Sequence, residues 1–415
     1  MLAQVGAGSP PAAPAPRTPA FQLSLDQAIQ LALQHSPALA AARTTVPQSQ
    51  AGEVTANLRP NPVLTWDALY FPVFTPSQLN ASYLNNSAEF DATLGYTIER
   101  GGKRQARLRA ARDATTVTRD QVTDNARTLT FNVAQQFVAV LLAKSGLALA
   151  RQDLASWQQT ADVSRLQYQA GAISEGDLDT VELQTLQFQT AIGANELSLA
   201  QALSGLRQQI GFSGVPAGYN VAGQLAFQPV SGNLQDMQAL ALRDRPDLAA
   251  ARAGITAAQS QHALAIADGK RDLTATGQLT HTAGVATAGA LFSIEIPIFD
   301  RNQGEIARTA AAATQAQDLA QAASEQVLTD VATAFSAVQQ GAKVVALYTS
   351  GYRAQAAQAL SIRRYSYSRG ASSLLNLLDA ERTDRATEVG YRQALAAYML
   401  AVEQLKEAVG TRSLP

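Results

Sequence analysis

Over residues 88–99 the chain alternates without a break. Ala88, Phe90, Ala92, Leu94, Tyr96 and Ile98 fall on one side, and Glu89, Asp91, Thr93, Gly95, Thr97 and Glu99 on the other. Period-two alternation is strand geometry, because successive side chains of a strand point to opposite faces. Upstream, Leu64, Trp66, Ala68 and Tyr70 share one side, with Thr65 and Asp67 opposite. Two later stretches repeat the theme. Leu273, Ala275, Gly277 and Leu279 oppose Thr274, Thr276, Gln278 and Thr280. Ala288, Ala290, Phe292, Ile294 and Ile296 oppose Gly289, Ser293 and Glu295, with Leu291 out of pattern. The chain is therefore predicted to hold two strand pairs, at about 62–99 and about 271–298.

Elsewhere the period lengthens to that of a helix. Ser24 and Asp26 precede an apolar-periodic run from Ala28 to Leu33, as N-cap and first-turn residues do. Pro37 and Pro246 each start or kink a further helical stretch. Residues 103–170 contain no proline and a single glycine, Gly146, and 305–369 is also free of proline. Each is read as one unbroken rod of about 100 Å at 1.5 Å per residue. Leu129, Val133, Phe137 and Val140 draw a narrow apolar stripe among Gln, Thr, Asp and Arg, the habit of coiled coils.

Both rods run into the same turn. Arg165, Tyr168, Gly171, Ser174, Leu178 and Glu182 are matched 199 positions later by Arg364, Tyr367, Gly370, Ser373, Leu377 and Glu381. "ALQHSPALAAAR" at 32–43 returns as "ALRDRPDLAAAR" at 241–252. The chain thus reads as two copies of one unit, 21–211 and 233–411, each laid out as helix, strand pair, long helix, turn, long helix. A Gly- and Pro-rich connector of loop and short strand fills 212–232, and the Pro/Ala-rich residues 1–20 read as an extended tether. At the turns, Gly171 and Gly370 suit the positive φ of a helix reversal, and Ser174 and Ser373 suit N-caps. Arg165, Arg364 and Arg369, near helix C-termini, complement the helix dipole.

Composition narrows the function by exclusion. Net charge is −1, with acids and bases intermixed, so there is no basic face for nucleic acid. Without cysteine in the sequence, no disulfide, thiolate metal site, cysteine nucleophile or lipid-bearing N-terminal cysteine is expected. His35, assigned to a helix end, His281, near a strand end, and His262 show no metal-ligand spacing. No phosphate loop, dinucleotide fingerprint or nucleophile–base signature is present, so neither a cofactor nor an enzymatic activity is expected. No apolar run of about 18 residues occurs, so no transmembrane helix is expected. The first 20 residues lack the regions of a signal peptide. The protein is either cytosolic or a chain whose export signal has been removed.

The strands separate a soluble helical scaffold from a membrane channel. Each reaches the length of about 9–11 residues that crosses a bilayer when tilted. Trp66, Tyr70, Phe71, Tyr83 and Tyr96 would supply interfacial anchors, and Asp67, Glu89, Asp91 and Glu295 would face a water-filled lumen. Strands in a bilayer must close into a barrel, and about 8 is the smallest number that does. One chain brings too few, and a barrel of about 8 is filled by its own side chains, so a trimer is expected.

With the strand pairs, the duplication and the tips together, the sequence resembles the TolC-like outer-membrane efflux channels over about 21–411. "SPALAAAR", "GGKRQAR", "IPIFDRNQGEIA" and "SLLNLLDAERT" look most like the cobalt–zinc–cadmium resistance branch. The resemblance implies a mixed, mostly α fold. A homotrimer would place a 12-strand barrel in the outer membrane of a Gram-negative-type bacterium, among outer-membrane lipid, and a long helical tunnel in the periplasm. It implies the exit duct of a tripartite pump. The duct is fed by a periplasmic adaptor and an inner-membrane transporter of the proton-driven resistance-nodulation-division type, with heavy-metal cations as cargo. Drug efflux and type I protein secretion are the alternative uses.

In such channels the adaptor docks on the hairpin tips, here Arg165, Gly171, Ser174, Arg364, Gly370 and Ser373. Motif matching puts Asn376 and Asp379 at the two positions of the carboxylate constriction, and Tyr367 and Asp177 at positions that latch neighbouring hairpins. Two departures stand out. Asn376 replaces the first carboxylate, and Ser372 stands where the latch has arginine, with Arg369 one turn away. The second tip is expected to line the mouth and the first to brace it.

Overall fold

The computed structural model describes residues 21–414; the tether expected at 1–20 lies outside the described residues. The first copy runs β1 (Gln22–Leu23), α1 (Leu25–His35), α2 (Pro37–Arg43), α3 (Thr45–Ala56), β2 (Val63–Leu69), α4 (Ala81–Asn86), β3 (Glu89–Ile98), α5 (Lys103–Gln169) and α6 (Glu175–Ile210). The second runs β4 (Asn220–Val221), α7 (Leu234–Asp244), α8 (Pro246–Asp268), β5 (Leu273–Thr282), β6 (Val285–Ile294), α9 (Gln303–Leu347), α10 (Arg353–Ser368) and α11 (Leu374–Val409). Ser24 opens α1 with a capping box, its Oγ accepting from the Gln27 amide while the Gln27 side chain accepts from the Ser24 amide.

The two rods differ. In α5 the helix continues through Gly146, whose missing side chain makes room for Asn195: a Cβ there would lie 2.7 Å from Asn195 Oδ1. The second rod is broken, contrary to the prediction. Gly351 has φ 132° inside a π-turn at Tyr348–Tyr352 that separates α9 from α10. Only glycine adopts that backbone freely, and π-turns interrupt the regular ladder. One stretch of α5 is also long and apolar enough to cross a membrane, against expectation, but half of it is buried within the protein. There Val133, Phe137, Val140 and Leu141 belong to the core.

The described chain divides into two compact units, each drawing on both sequence copies. One comprises Ala38–Arg127, Ser231–Thr333 and the residues from Lys406 onward. It holds an antiparallel sheet in the order β2-β3-β5-β6, so the two copies meet where β3 pairs with β5. The register sorts most side chains by face, with Val63 and Leu291 the apolar exceptions in one rank of the polar face. Leu64, Leu94, Gly277 and Ala290 form one apolar rank, and Trp66, Ala92, Leu279 and Ala288 the next. Thr65, Thr93, Gln278 and Gly289 form a polar rank on the other face. β2 and β6 are the edge strands, each unpaired on its outer side among the described residues, and the apolar face is open: Leu64 is 73% exposed and Phe292 69%.

The same unit contains a buried charge node. Arg245 is 5% exposed and donates to Asp247 (2.6 Å), Asp330 (2.9 Å) and the Ala408 carbonyl (3.2 Å), tying α8, α9 and α11 together. The first copy has Ser36 at the matching position, so this node belongs to the second copy alone.

The other unit comprises the residues up to Pro37, Thr128–Val230 and Ala334–Leu405. It includes the parallel pair β1–β4 and both helical hairpins. One core joins the hairpins: Trp157 and Ala161 from α5, Val181 and Phe188 from α6, Leu360 and Tyr367 from α10, Leu374 and Leu377 from α11. Fully buried Trp157 donates from Nε1 to the Val181 carbonyl at 3.1 Å, so its one polar atom is satisfied.

Candidate functional site

The hairpin tips repeat at atomic detail. At the first, Gly171 has φ 69°, with Gly171 N–H donating to Tyr168 O and Ala172 N–H to Gln167 O. At the second, Gly370 has φ 71°, with Gly370 N–H donating to Tyr367 O and Ala371 N–H to Ser366 O. These are paired Schellman closures, which need a left-handed residue after the helix. Ser174 Oγ accepts from the Asp177 amide at 3.1 Å and Ser373 Oγ from the Asn376 amide at 3.4 Å, so both serines cap the returning helices. The repeated arginine and glutamate meet across each hairpin: Arg165 with Glu182 at 3.2 Å, Arg364 with Glu381 at 3.0 Å.

The tips differ in what surrounds them. Tyr367 is buried, its hydroxyl 2.9 Å from Ser164 Oγ, and its carbonyl accepts from Gln167 Nε2 at 3.1 Å, so it ties α10 to α5. Asp177 turns back on its own cap and accepts from Ser174 Oγ at 2.8 Å. Within one chain these two residues therefore engage different partners. Asn376 and Asp379 are exposed, and the Asp379 carboxylate pairs with Arg382 at 3.2 Å, with both side chains in solvent. Such a pair holds little energy. Ser372 Oγ is buried without a hydrogen bond, and Arg369 lies over the Tyr365 ring at 5.4 Å.

Above the second tip lies an ionisable seam that sequence reasoning missed. On α11, Glu381, Asp384, Arg385, Glu388 and Arg392 recur at helical spacing on one face. Arg385 reaches Asp153 of α5 at 3.5 Å and stacks over Phe188; Arg353 of α10 reaches Glu388 at 2.7 Å, and Arg392 also pairs with Glu388. Burial pushes Asp153 up to about 6, with Arg385 opposing and Glu381 and Asp384 adding to the rise. Burial likewise raises Glu381, against the pull of Arg364, and raises Asp384, with Glu388 adding. In the first copy, Thr185, Leu186 and Gln189 stand at the matching positions, so the seam has no counterpart there.

On the sheet, Asp67 and Asp91 are cross-strand neighbours on the polar face. Asp91 is buried and accepts from the Thr280 hydroxyl and from Gln278 Nε2, while Glu89 is half-buried at the start of β3. Glu295 lies one residue beyond β6 and pairs with Arg271 at 3.3 Å. Phe71 packs edge-on against Phe90, and the Tyr83 hydroxyl donates to Tyr70 O at 2.9 Å. His35 ends α1, His281 lies near the end of β5, and His262 bonds Thr309 at 3.0 Å. Among the described residues no group of His, Asp or Glu is arranged to hold a metal ion.

This architecture recurs in known proteins. The cobalt-zinc-cadmium resistance protein CzcC of Cupriavidus metallidurans is 24% identical over 405 residues, spanning 95% of this chain and 92% of that protein. A membrane protein from Pseudomonas aeruginosa superposes with a TM-score of 0.79 at 19% identity, over 98% of this chain and 99% of that one. CusC, a protein that forms a transmembrane channel, gives 0.76 at 22% identity over 95% and 94%. The family model for outer membrane efflux proteins matches residues 28–212 and 238–411, taking in both copies. The chain accordingly belongs to the outer membrane efflux protein family, passive TolC-like channels rather than enzymes, which stand in the outer membrane, extend into the periplasm, and work as trimers with an adaptor and an inner-membrane transporter.

Proposed function

We propose that this channel is the exit duct for heavy-metal cations in a tripartite pump driven by a resistance-nodulation-division transporter. The observation that carries the duct is the sheet. An apolar face left open to the surroundings and two unpaired edges make no sense in water and fit a strand set that closes with two further copies in outer-membrane lipid. The cation assignment is supported by charge. The strands carry Asp67, Glu89 and Asp91 and no lysine or arginine, so the polar face presents carboxylates to a lumen. The 24% identity to CzcC along nearly the whole chain favours metal over drug or protein cargo.

In this reading 21–211 and 233–411 are duplicated halves joined by 212–232. The tips at Arg165, Gly171, Ser174, Arg364, Gly370 and Ser373 receive the adaptor. Asp379 from three chains rings the mouth beside Asn376, and Tyr367 and Asp177 brace neighbouring hairpins. Deletion of the gene followed by growth on zinc, cobalt, copper and drugs tests the cargo, and unchanged metal tolerance in a strain with no second such channel refutes it. In planar bilayers, Asp379→Ala is expected to lower cation preference; unchanged selectivity refutes the ring.

A further inference from the structure

We propose that the periplasmic end of the sheet is a collar that binds the phosphate of anionic glycerophospholipids in the adjoining leaflet. The inference rests on reading the sheet as membrane-spanning. The apolar face ends with Tyr96, Ile98, Leu273 and Ile294, and the chain beyond β6 stays apolar and exposed at Ile296, Ile298 and Phe299. Directly beyond this rank the charge changes. Segments 57–60, 99–107, 268–272 and 295–303 carry eight bases against five acids. Three acids are already taken, Asp272 by Lys103, Glu99 by Arg107 and Glu295 by Arg271. Of the remaining two, Asp300 accepts from the Asn302 amide and Asp268 lies in the field of Lys103 and Arg107. Arg59, Arg100, Lys270 and Arg301 are exposed and form no ion pair with a carboxylate among the described residues.

The opposite end of the sheet provides the contrast. Its connections, 70–88 and 283–284, contain no charged residue at all. Uncompensated cations are therefore confined to the end from which the long helices leave. A groove of about 360 Å³ opens there, lined by Arg59, Arg104 and the Asp272-bound Lys103, with Glu99 in its wall held by Arg107, together with Tyr96 and Ile98 of the apolar face. One wall chemistry suits a phosphate, and the other suits the first carbons of an acyl chain. Bases beside a bilayer surface attract anionic headgroups, and the attraction is screened by salt. That juxtaposition favours a lipid over a free anion, which would have no use for the apolar wall.

The test uses the whole trimer in detergent, offered dioleoyl phosphatidylglycerol, dioleoylglycerol (the same chains without phosphate) or inorganic phosphate, with retention read by native mass spectrometry. Phosphatidylglycerol is expected to be held at least about tenfold better than dioleoylglycerol, and inorganic phosphate not at all. Combined Arg59→Gln, Arg100→Gln, Lys270→Gln and Arg301→Gln is expected to abolish that preference, at roughly fivefold per base. Arg363→Gln, exposed near the second tip, leaves it intact. Should the combined variant fail to assemble, the unaltered trimer decides. Raising salt from about 0.05 M to about 0.5 M is expected to weaken phosphatidylglycerol retention and not that of dioleoylglycerol. Equal retention of the two lipids, an unchanged preference in the combined variant, salt-independent retention, or capture of inorganic phosphate as strongly as of lipid each overturns the collar. A conducting trimer that fails these tests leaves the channel reading standing. A protein that neither trimerises nor conducts refutes that reading, and the collar with it.

Discussion

Thr93 and Leu94 are neighbours in sequence and face opposite worlds in the sheet. Leu94 lies across from Leu64 and Gly277 on the apolar face and is 56% exposed, while Thr93 lies across from Thr65 and Gln278 on the polar face. Both sit near the middle of β3, so both lie near the bilayer midplane if the strand spans it. An arginine on the lipid face at that depth costs about 2–4 kcal/mol, and three copies bring the cost to about 6–12 kcal/mol per barrel. That rivals the whole stability of an ordinary domain, about 5–15 kcal/mol. Leu94→Arg is therefore expected to abolish or sharply reduce heat-resistant trimer in outer-membrane fractions, and to slow refolding into vesicles. Thr93→Arg places its guanidinium in water near Asp91, so trimer yield is expected to hold while single-channel conductance to cations falls. Equal damage from the two substitutions, or wild-type assembly by Leu94→Arg, refutes the assignment of faces.

Three further outcomes follow from single residues. Arg245→Met takes the cation from Asp247 and Asp330, which keep the Leu248 amide and Gln326, and removes the arginine donor from the Ala408 carbonyl, and is expected to cost about 1–3 kcal/mol, read as a lowered denaturation midpoint; an unchanged midpoint refutes the role of the node. Burial holds Asp153 up at about 6, so between its unfolded value and about 6 the folded state binds more protons than the unfolded one, and stability falls as pH rises through that window. Asp153→Asn is expected to flatten that slope and raise the thermal midpoint at neutral pH; an identical slope in the variant refutes it. Trp157→Phe removes the indole donor from the Val181 carbonyl, which keeps the Thr185 hydroxyl at 3.0 Å, so the lost hydrogen bond is expected to cost about 0.5–1.5 kcal/mol and to speed amide exchange in α5 and α6 near the tip. Its remaining Trp66 is expected to be quenched by brominated lipid, and unquenched emission counts against a membrane-facing sheet.

Much of this protein was legible in local order alone. Period-two alternation assigns faces within any one strand, because the pleat forces it, and Thr93 and Leu94 needed no partner to be told apart. The turns at Gly171 and Gly370, with Ser174 and Ser373 as caps, are interactions within a few residues, and the duplication pointed to them twice. The spacing from Arg165 to Glu182 and from Arg364 to Glu381 likewise became the same ion pair in each hairpin. Only the tertiary structure decided that β3 pairs with β5, which fixes four strands into one open sheet from segments nearly half the chain apart. It also decided that α10 breaks from α9 at Gly351, and that Asp153 is half-buried opposite α11 beside Arg385. Local periodicity reports which way a side chain points; what it meets there depends on distant segments, and burial, pairing and pKa are set by that meeting.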